Sequence, residues 1–333
     1  MRIVRNLDTE TWRKFVHEHP NGNIFHTPEM FQVFSYTKGY QPELWAIIDN
    51  NSQIRALLLP VRITLMGGVL QWFTSRAVAY GSVLCEPGPE GEAALTELLS
   101  AYNQQVKRNV LFTELRNLSD LNGLQPVLVE AGFVHEEHLN FLIDLSQTQE
   151  TLWHRINKSS RQSVRTSRNK GTIVEEVTER HKVAIAHQLL QQVYSRVKVP
   201  LASLNLFETA FDILGPRQKF KIFMARVDEQ FIGACLLLVY KGKIIYWYAG
   251  SDRAFSAYTP AELLLWHVWQ WGQAHGCHLF DFGGAGKPNE DYGPRRFKAK
   301  FGGTLVNYGR NVYVHAPMRL KFTRVGYQLF RKF

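Results

Sequence analysis

The sequence has few cysteines and no long apolar run. Its three cysteines, Cys85, Cys235 and Cys277, are widely spaced and form no CxxC pair, so neither a disulfide framework nor a zinc ribbon is expected. The longest apolar run, Phe231 to Tyr240, stops after ten residues, about half the length that a membrane-spanning helix needs. The opening MRIVRNLDTETW lacks the apolar core of a signal peptide. We therefore expect a soluble, cytoplasmic protein with reduced and mostly buried thiols.

Several catalytic signatures are also missing. There is no GxSxG, no Walker A phosphate loop and no strand-linked GxGxxG followed by an acid. The tetrapeptide His135-Glu136-Glu137-His138 does not have the spacing of HExxH and lies in a segment with a strand pattern. We expect no metal site there. These absences argue against a serine hydrolase, a P-loop nucleotidase and a zinc hydrolase.

What the sequence does have is length and positive charge. Its 333 residues, 45% hydrophobic and 20% charged, have a normal globular composition and suffice for two domains. The formal net charge is +10 at pH 7. Such an excess favours a polyanionic partner, which could be a nucleic acid, a nucleotide phosphate or an anionic membrane surface.

One series of elements occurs twice along the chain. It consists of a long helix, a buried strand, a short helix, a glycine stop and closing strands, at 91–107, 110–115, 126–131, Gly132 and 134–145, and again at 260–275, 279–282, 295–301, Gly302-Gly303 and 305–314. Helices that begin after Asp8 and Thr27 open the first half, and strand patterns with turn residues between them precede the series in both halves, at 44–48, 54–63, 69–73 and 78–84 and again as a meander over 220–249. We therefore predict two α/β (α+β) domains, residues 1–147 and 148–333, each with a mixed, mostly antiparallel sheet flanked by helices.

The second domain should begin with a basic helix over residues 151–171. This segment, TLWHRINKSSRQSVRTSRNKG, contains six cations and no acid. Five of them have helical spacing along one stripe, namely Arg155, Lys158, Arg161, Arg165 and Arg168. A stripe of one sign predicts a bound polyanion, while a solvated linker helix is the alternative.

A glycine bend followed by cations forms the most informative segment, residues 280–303. A short apolar strand carries Asp281 and ends at Gly283-Gly284, and a helix with Arg295, Arg296, Lys298 and Lys300 follows. A strand that ends in a glycine turn beside a cationic helix can hold an acyl carbonyl or a phosphate. A tight connection with a solvated basic face is the alternative.

The stretch before residue 263 predicts a helix start beside an aromatic strand end. Thr259-Pro260-Ala261-Glu262 has the pattern of a capping box with proline at the first helical position. Upstream, strand alternation favours a core position for Trp247 and a substrate-facing position for Tyr248.

The C-terminal tail, residues 318–333, is basic and interleaved with apolar residues. It contains five cations and no acid. It could lie on an anionic membrane or pack as an ordinary terminal helix. The first alternative would place a cytoplasmic protein peripherally at the inner face of the membrane.

Two segments resemble the Fem-type peptidyltransferases and the wider FemAB-like and BioF2-like acyltransferases. The FDFGG strand and turn at 280–284 with FKAKFGG at 297–303 resembles the family's FKxxFGG signature, and KSSRQSVR at 158–165 resembles its KxxRxxIR stretch. The resemblance covers nearly the whole chain. It implies two tandem GNAT-like domains, in agreement with the repeat.

The resemblance also implies an activity. Fem-type enzymes transfer an aminoacyl group from aminoacyl-tRNA to an amine on a phosphate-bearing peptidoglycan precursor, with no tightly bound cofactor. Lys298 matches the family's FK lysine and is expected to stabilise charge at the transferred carbonyl, while Asp281 could be catalytic or structural. The expected substrate-binding residues are Lys158, Arg161, Arg165, Tyr248, Tyr258, Gly283, Gly284 and Arg296.

Two departures from the family pattern bear on the donor. No long helical-hairpin arm lies between the halves, which argues against the subtypes that carry one. The loop 253–258 also lacks the RxxGxG/A glycines of acetyl-CoA enzymes, and Phe255 and Tyr258 would crowd a pyrophosphate. An acyl-CoA- or acyl-carrier-dependent N-acyltransferase of a small amine or sugar is one alternative function, and a non-enzymatic RNA-binding module is another.

Overall fold

A computed structural model describes residues 1–64 and 74–321. The chain divides into two compact units, Met1–Glu137 with Tyr308–Phe333 (unit 1) and His138–Asn307 (unit 2). The strand predicted near residues 69–73 lies outside the described residues, as do residues 322–333 of the tail.

Unit 1 contains two sheets and the first four α-helices. The four-stranded sheet has the order β1 (Arg2–Val4), β3 (Trp45–Ile48), β4 (Ile54–Leu58), β7 (Val83–Cys85). The six-stranded sheet has the order β2 (Tyr40–Pro42), β5 (Val61–Thr64), β6 (Ser75–Ala79), β8 (Phe112–Arg116), β17 (Arg310–Val314), β9 (Val134–Glu136). The helices are α1 (Thr9–Glu18), α2 (Pro28–Tyr36), α3 (Pro89–Val106) and α4 (Gln125–Glu130).

Local sequence signals explain why these helices form where they do. The Asp8 side chain accepts a hydrogen bond from the Thr11 amide at 2.9 Å and caps α1. Thr27 caps α2 by accepting from the Met30 amide at 3.2 Å. Helix α3 buries Leu95 and Leu98 in the unit's core.

Unit 2 is built on one seven-stranded sheet. Its order is β11 (Ile173–Glu176), β12 (Phe220–Val227), β13 (Gln230–Tyr240), β14 (Lys243–Ser251), β15 (Leu279–Gly284), β10 (Leu139–Asp144), β16 (Thr304–Asn307). The helices are α5 (Gln149–Arg155), α6 (Lys158–Asn169), α7 (Lys182–Arg196), α8 (Leu204–Leu214), α9 (Pro260–Ala274) and α10 (Gly293–Ala299). Helix α9 packs Trp266 and Trp269 into the main core of this unit.

The closing strands of each half are divided between the two units. The predicted strand segment 134–145 separates at Glu137/His138, so β9 pairs in unit 1 while β10 pairs with β15 in unit 2. Likewise β16 stays in unit 2 and β17 pairs with β8 in unit 1. Gly309, with φ +65°, makes the turn between β16 and β17. The units therefore divide at 137/138 and 307/308 rather than at 147/148.

Two predicted elements are interrupted by residues that end them. The strand predicted over 54–63 breaks before Pro60 into β4 and β5, which belong to different sheets. The helix predicted over 151–171 breaks at Asn157, whose side chain accepts from the Ser160 amide at 2.8 Å and starts α6 anew. Arg155 therefore ends α5 and is not part of the α6 stripe.

The described residues also bear on thiols and membranes. Cys85, Cys235 and Cys277 are all free and buried, as predicted. Within residues 1–64 and 74–321, no helix combines the length and apolar character needed to cross a bilayer. At the start of the tail, Leu320 is buried beside Leu111 and Ala316 in unit 1.

Candidate active site

Strands β14 and β15 of unit 2 run together briefly and then part. Their parallel pairing covers three residues and ends at Ile245 opposite Asp281. Beyond Ile245, β14 continues to Ser251 and makes no further pairing with β15 among the described residues. Its backbone groups along that edge therefore have no strand partner and can accept or donate hydrogen bonds to a ligand.

A bulge in β14 sends its aromatic side chains to different sides of the sheet. Leu237 lies opposite Tyr246 and Leu236 opposite Tyr248, which leaves Trp247 unpaired. Tyr246 packs against the core beside α9. Tyr248, predicted to face substrate, lies half-buried on Phe207, with ring centroids 4.9 Å apart. The alternation of the sequence did not predict the core position of Tyr246, because the bulge at Trp247 breaks the period of two.

Lys298 reaches the glycine bend that ends β15. Its Nζ donates to the carbonyl oxygens of Phe282 at 2.7 Å, Gly283 at 3.3 Å and Gly284 at 2.8 Å. An ammonium group has three donors, so all three are used. The lysine therefore stabilises the bend, and a substrate oxygen must replace one of these carbonyls to be bound. The Gly283 carbonyl, the most distant, is the easiest to replace.

Burial changes the protonation of the lysine. Desolvation lowers the pKa of Lys298 to about 8, and the Asp281 carboxylate opposes this shift. A large fraction of Lys298 is therefore neutral slightly above neutral pH. The charge at this position depends on pH within the range where enzymes work.

Asp281 is buried beneath the bend. Its carboxylate accepts from Asn140 Nδ2 at 2.6 Å and from the Gly283 amide at 2.7 Å. Burial raises its pKa, while these hydrogen bonds oppose the change. The Ala285 amide is also engaged, by the Leu139 carbonyl at 2.6 Å. The amides of Gly283 and Ala285 are thus occupied, and Asp281 fixes the geometry of the bend.

Glu262 is the acid of the capping box predicted at Thr259–Glu262. The capping box predicted at Thr259 is wrong, since Thr259 is left-handed (φ 48°) and makes no side-chain cap. Its hydroxyl donates instead to the Ser163 carbonyl at 2.7 Å, and its amide to the Ser256 carbonyl at 3.1 Å. The Glu262 side chain is therefore not held in a capping box.

The Glu262 carboxylate is half-buried near the point where β14 and β15 part. Burial raises the pKa of Glu262, and Lys300 opposes the rise. Its charge also acts on Tyr246, whose pKa is raised above all by burial. The only sequence signal for this role was an acid in the first turn of α9. A half-buried carboxyl with a raised pKa is a candidate proton acceptor.

The basic stripe on α6 is partly structural. Arg161 donates through Nη1 to the carbonyls of His154 at 2.9 Å and Ile156 at 2.7 Å, which close the end of α5. Arg165 is exposed and lies 5.6 Å from the Trp153 ring centroid. Lys158 is exposed at the first turn of the helix. Lys158 and Arg165 can meet a polyanion without losing a hydrogen bond of the fold.

The remaining predicted contacts, Arg296 and Tyr258, have partners of their own. Arg296 is exposed and forms an ion pair with Asp291. Tyr258 packs against Phe255 with tilted rings whose centroids are 5.8 Å apart, and Lys170 lies 5.0 Å from the Tyr258 ring centroid. Both rings line a groove of about 500 Å³ whose other wall includes Asp228 and Glu229.

Comparison with known proteins identifies the fold. Residues 158–298 match the family model described as Acetyltransferase (GNAT) domain. The structure of FemX superposes with a TM-score of 0.73 at 14% identity, covering 97% of this chain and 100% of that chain. None of the proteins with a curated function matches this sequence.

Two further solved structures share the architecture. The C-terminal domain of a putative lysylphosphatidylglycerol synthetase from Agrobacterium fabrum has a TM-score of 0.57 at 15% identity, covering 94% of this chain and 93% of that one. A tandem GNAT protein from the clavulanic acid biosynthesis pathway has a TM-score of 0.59 at 10% identity, covering 94% and 98%. The predicted resemblance in fold is confirmed: the chain has the tandem GNAT-like fold shared with FemX, and part of unit 2 matches the GNAT domain model.

Proposed function

We propose that this protein transfers an aminoacyl group from aminoacyl-tRNA to an amine on a peptidoglycan precursor, at the opening between β14 and β15. The observation that carries the proposal is the combination of three features in unit 2. These are an unpaired strand edge, the Lys298-bound glycine bend and the half-buried Glu262. The full-length similarity in fold to FemX supports an aminoacyl donor.

The proposed reaction is direct transfer without a covalent enzyme intermediate. The acceptor amine attacks the ester carbonyl, a C–N bond forms and the C–O bond to the ribose oxygen breaks. The ammonium proton passes to Glu262 and then to the departing oxygen. Lys298 exchanges its bond to the Gly283 carbonyl for the developing oxyanion. Holding both reactants in one opening supplies much of the acceleration.

The donor end of the site fits RNA better than coenzyme A. The groove beside the start of α9 is lined by Phe255, Tyr258 and the carboxylates of Asp228 and Glu229. These carboxylates repel a pyrophosphate and the aromatic rings occupy its place, so this groove disfavours coenzyme A and an RNA backbone has to lie outside it. The exposed cations Lys158 and Arg165 on α6 favour a phosphate backbone.

Product analysis with alternative donors tests this function. The purified chain is incubated with a nucleotide-linked sugar peptide that bears a free amine and with either charged tRNA or acyl-CoA. Mass spectrometry should show an aminoacylated peptide from charged tRNA only. Product from acyl-CoA in the absence of tRNA would overturn the donor assignment. Tight tRNA binding without any acyl product would favour a non-enzymatic RNA-binding module.

The family-model match supports one second candidate. Residues 158–298 match an acetyltransferase domain, so N-acylation of a small amine or sugar from acyl-CoA or an acyl carrier is the alternative function. The same incubation separates the two, because the alternative predicts turnover that treatment of the donor mixture with ribonuclease does not affect.

A further inference from the structure

Thr259, immediately before α9, has a backbone conformation that its own sequence disfavours. Its φ is 48° and its ψ is 49°, in the left-handed region. Seven non-glycine residues of the described chain have a positive φ, and Thr259 alone among them is β-branched. A branched side chain crowds the backbone in this region, and a residue before proline is driven toward an extended conformation. Contacts from elsewhere must therefore hold Thr259 in place.

Two hydrogen bonds from helix α6 and its C-cap hold the segment before α9. The Thr259 hydroxyl donates to the carbonyl oxygen of Ser163, in the middle of α6, at 2.7 Å. Two residues earlier, the Ala257 carbonyl accepts from Nζ of Lys170, the C-cap of α6, at 2.8 Å. Lys170 also lies over the Tyr258 ring. The docking of α6 therefore fixes the backbone that leads into α9.

The same conformation prevents both halves of a capping box. In such a box the threonine side chain accepts from the amide of the third helical residue, and the glutamate side chain accepts from the threonine amide. Here the Thr259 side chain makes no cap, and its amide donates to the Ser256 carbonyl. The Glu262 amide is left to its own carboxylate. The sequence still has every residue that the box requires, so an extended Thr259 would bring the Glu262 side chain back to the residue 259 amide.

The place of the Glu262 carboxyl therefore depends on the conformation of Thr259. In the structure the carboxyl is half-buried, and burial raises its pKa, while the Glu262 amide and Lys300 oppose the rise. Its charge reaches Tyr246 on β14. In a capping box the carboxylate would instead be bound to the backbone at the start of the helix. Only the observed arrangement leaves the carboxyl free to accept a proton from a substrate.

We propose that Thr259 is a positioning residue: its hydroxyl, bonded to Ser163 on α6, keeps Glu262 out of the capping box and near the point where β14 and β15 part. The inference rests on the proposed function, in which Glu262 accepts the proton of the attacking amine. It adds the contact that keeps this carboxyl available. Because α6 also carries the exposed cations Lys158 and Arg165, the helix proposed to meet the RNA backbone is also the helix that holds the proton acceptor in place.

The test compares Thr259→Val, Thr259→Ser and Thr37→Val with wild type in the full chain. Valine keeps the branched shape without the hydroxyl, whereas serine keeps a hydroxyl. The Thr37 hydroxyl in unit 1 donates to the Val33 carbonyl, also at 2.7 Å, so Thr37→Val is the matched control. Thr259→Val should lower kcat for transfer from charged tRNA about tenfold, with KM for both substrates within about twofold. Thr259→Ser and Thr37→Val should stay within about threefold of the wild-type kcat.

Crystal structures of the variants give a readout that does not depend on activity. In Thr259→Val, residue 259 should be extended and Glu262 should accept from the residue 259 amide, whereas Thr259→Ser should keep the left-handed conformation. A left-handed residue 259 in Thr259→Val, or a wild-type kcat for that variant, would overturn the inference. If Thr259→Val does not fold, Thr259→Ala removes the same hydroxyl and takes its place.

Failure of the inference and failure of the proposed function give different results. A wild-type chain that transfers no aminoacyl group would refute the proposed function. The structures of wild type and Thr259→Val would still decide whether the Thr259 hydroxyl keeps Glu262 out of the capping box.

Discussion

The two units use the same order of elements but finish their parallel strand pair differently. In unit 1, β6 pairs with β8 from Ala77 to Ala79, where β6 ends. In unit 2, β14 pairs with β15 over three residues and then runs on, apart from β15, to Ser251. Only the second arrangement creates an unpaired strand edge beside a glycine bend.

The side chains next to these strand pairs differ in the same way. Unit 1 carries the largely buried Glu114 among arginines on one face of its six-stranded sheet. Unit 2 has Lys298 on backbone carbonyls and Glu262 with a raised pKa beside the opening. Guanidinium groups stay charged at physiological pH, whereas burial lowers the pKa of Lys298 to about 8 and raises the pKa of Glu262. The groups beside the two strand pairs therefore differ in how their charge depends on pH.

The largest expected effect concerns the buried ring behind the opening. Trp269 on α9 is 1% exposed, and its ring contacts Phe280, Phe282 and Phe301. Trp269→Ala should lower the free energy of unfolding by about 3–5 kcal/mol because it leaves a large cavity. Tyr102→Phe in unit 1 removes only a hydroxyl bonded to Thr113, and should cost about 1 kcal/mol. Chemical denaturation measures both, and equal losses would show that Trp269 does not anchor the site.

Removing the proposed proton acceptor should have the next largest effect. Glu262→Gln should reduce the transfer rate about 100-fold at pH 7, the lower end of what a general base contributes. Glu150→Gln, an exposed acid in the first turn of α5, is the matched control and should leave the rate unchanged. A Glu262→Gln rate close to wild type would show that the proton goes elsewhere.

Removing the lysine at the bend should slow transfer at least about tenfold, or roughly 1.4 kcal/mol. Lys298→Ala deletes the cation and frees three carbonyls at the bend, so circular dichroism must first show that the fold survives. Lys14→Ala on the exposed face of α1 is the control. Unchanged kinetics of a folded Lys298→Ala variant would remove Lys298 from the mechanism.

The smallest effect should come from the exposed cations of α6. The double variant Lys158→Gln/Arg165→Gln should weaken tRNA binding and reduce the dependence of log affinity on log salt by about one to two. Lys107→Gln/Arg108→Gln at the end of α3 makes the same charge change in unit 1. Equal effects of the two pairs in a filter-binding titration would mean that tRNA responds to net charge alone.

Local signals predicted the elements well, and long-range pairing explains what they missed. Caps at Asp8 and Thr27 and the meander 220–249 are where the sequence indicated. The assignment of β10 to unit 2 and of β17 to unit 1 depends on pairing between strands that are far apart in the sequence, which periodicity does not encode.

The site shows the same division between local and long-range information. The position of Lys298 beside the glycine bend was predicted from the resemblance and from the spacing of the residues. The role of Glu262 was not predicted, because the capping box fails to form only when the left-handed Thr259 donates to the Ser163 carbonyl, 96 residues away. The parting of β14 from β15 is likewise a property of the folded sheet and has no signal in either strand alone.

The pH dependence of transfer in wild type and Lys298→Arg tests the central claim most directly. Lys298, with its pKa lowered to about 8, is charged below that pH and loses its proton above it. Arginine stays charged throughout. If the charge at residue 298 stabilises the transferred carbonyl, the ratio of wild-type to Lys298→Arg rates is constant below pH 7 and falls as pH rises through about 8. A ratio that stays constant up to pH ~10, the ordinary range for lysine, would contradict the account.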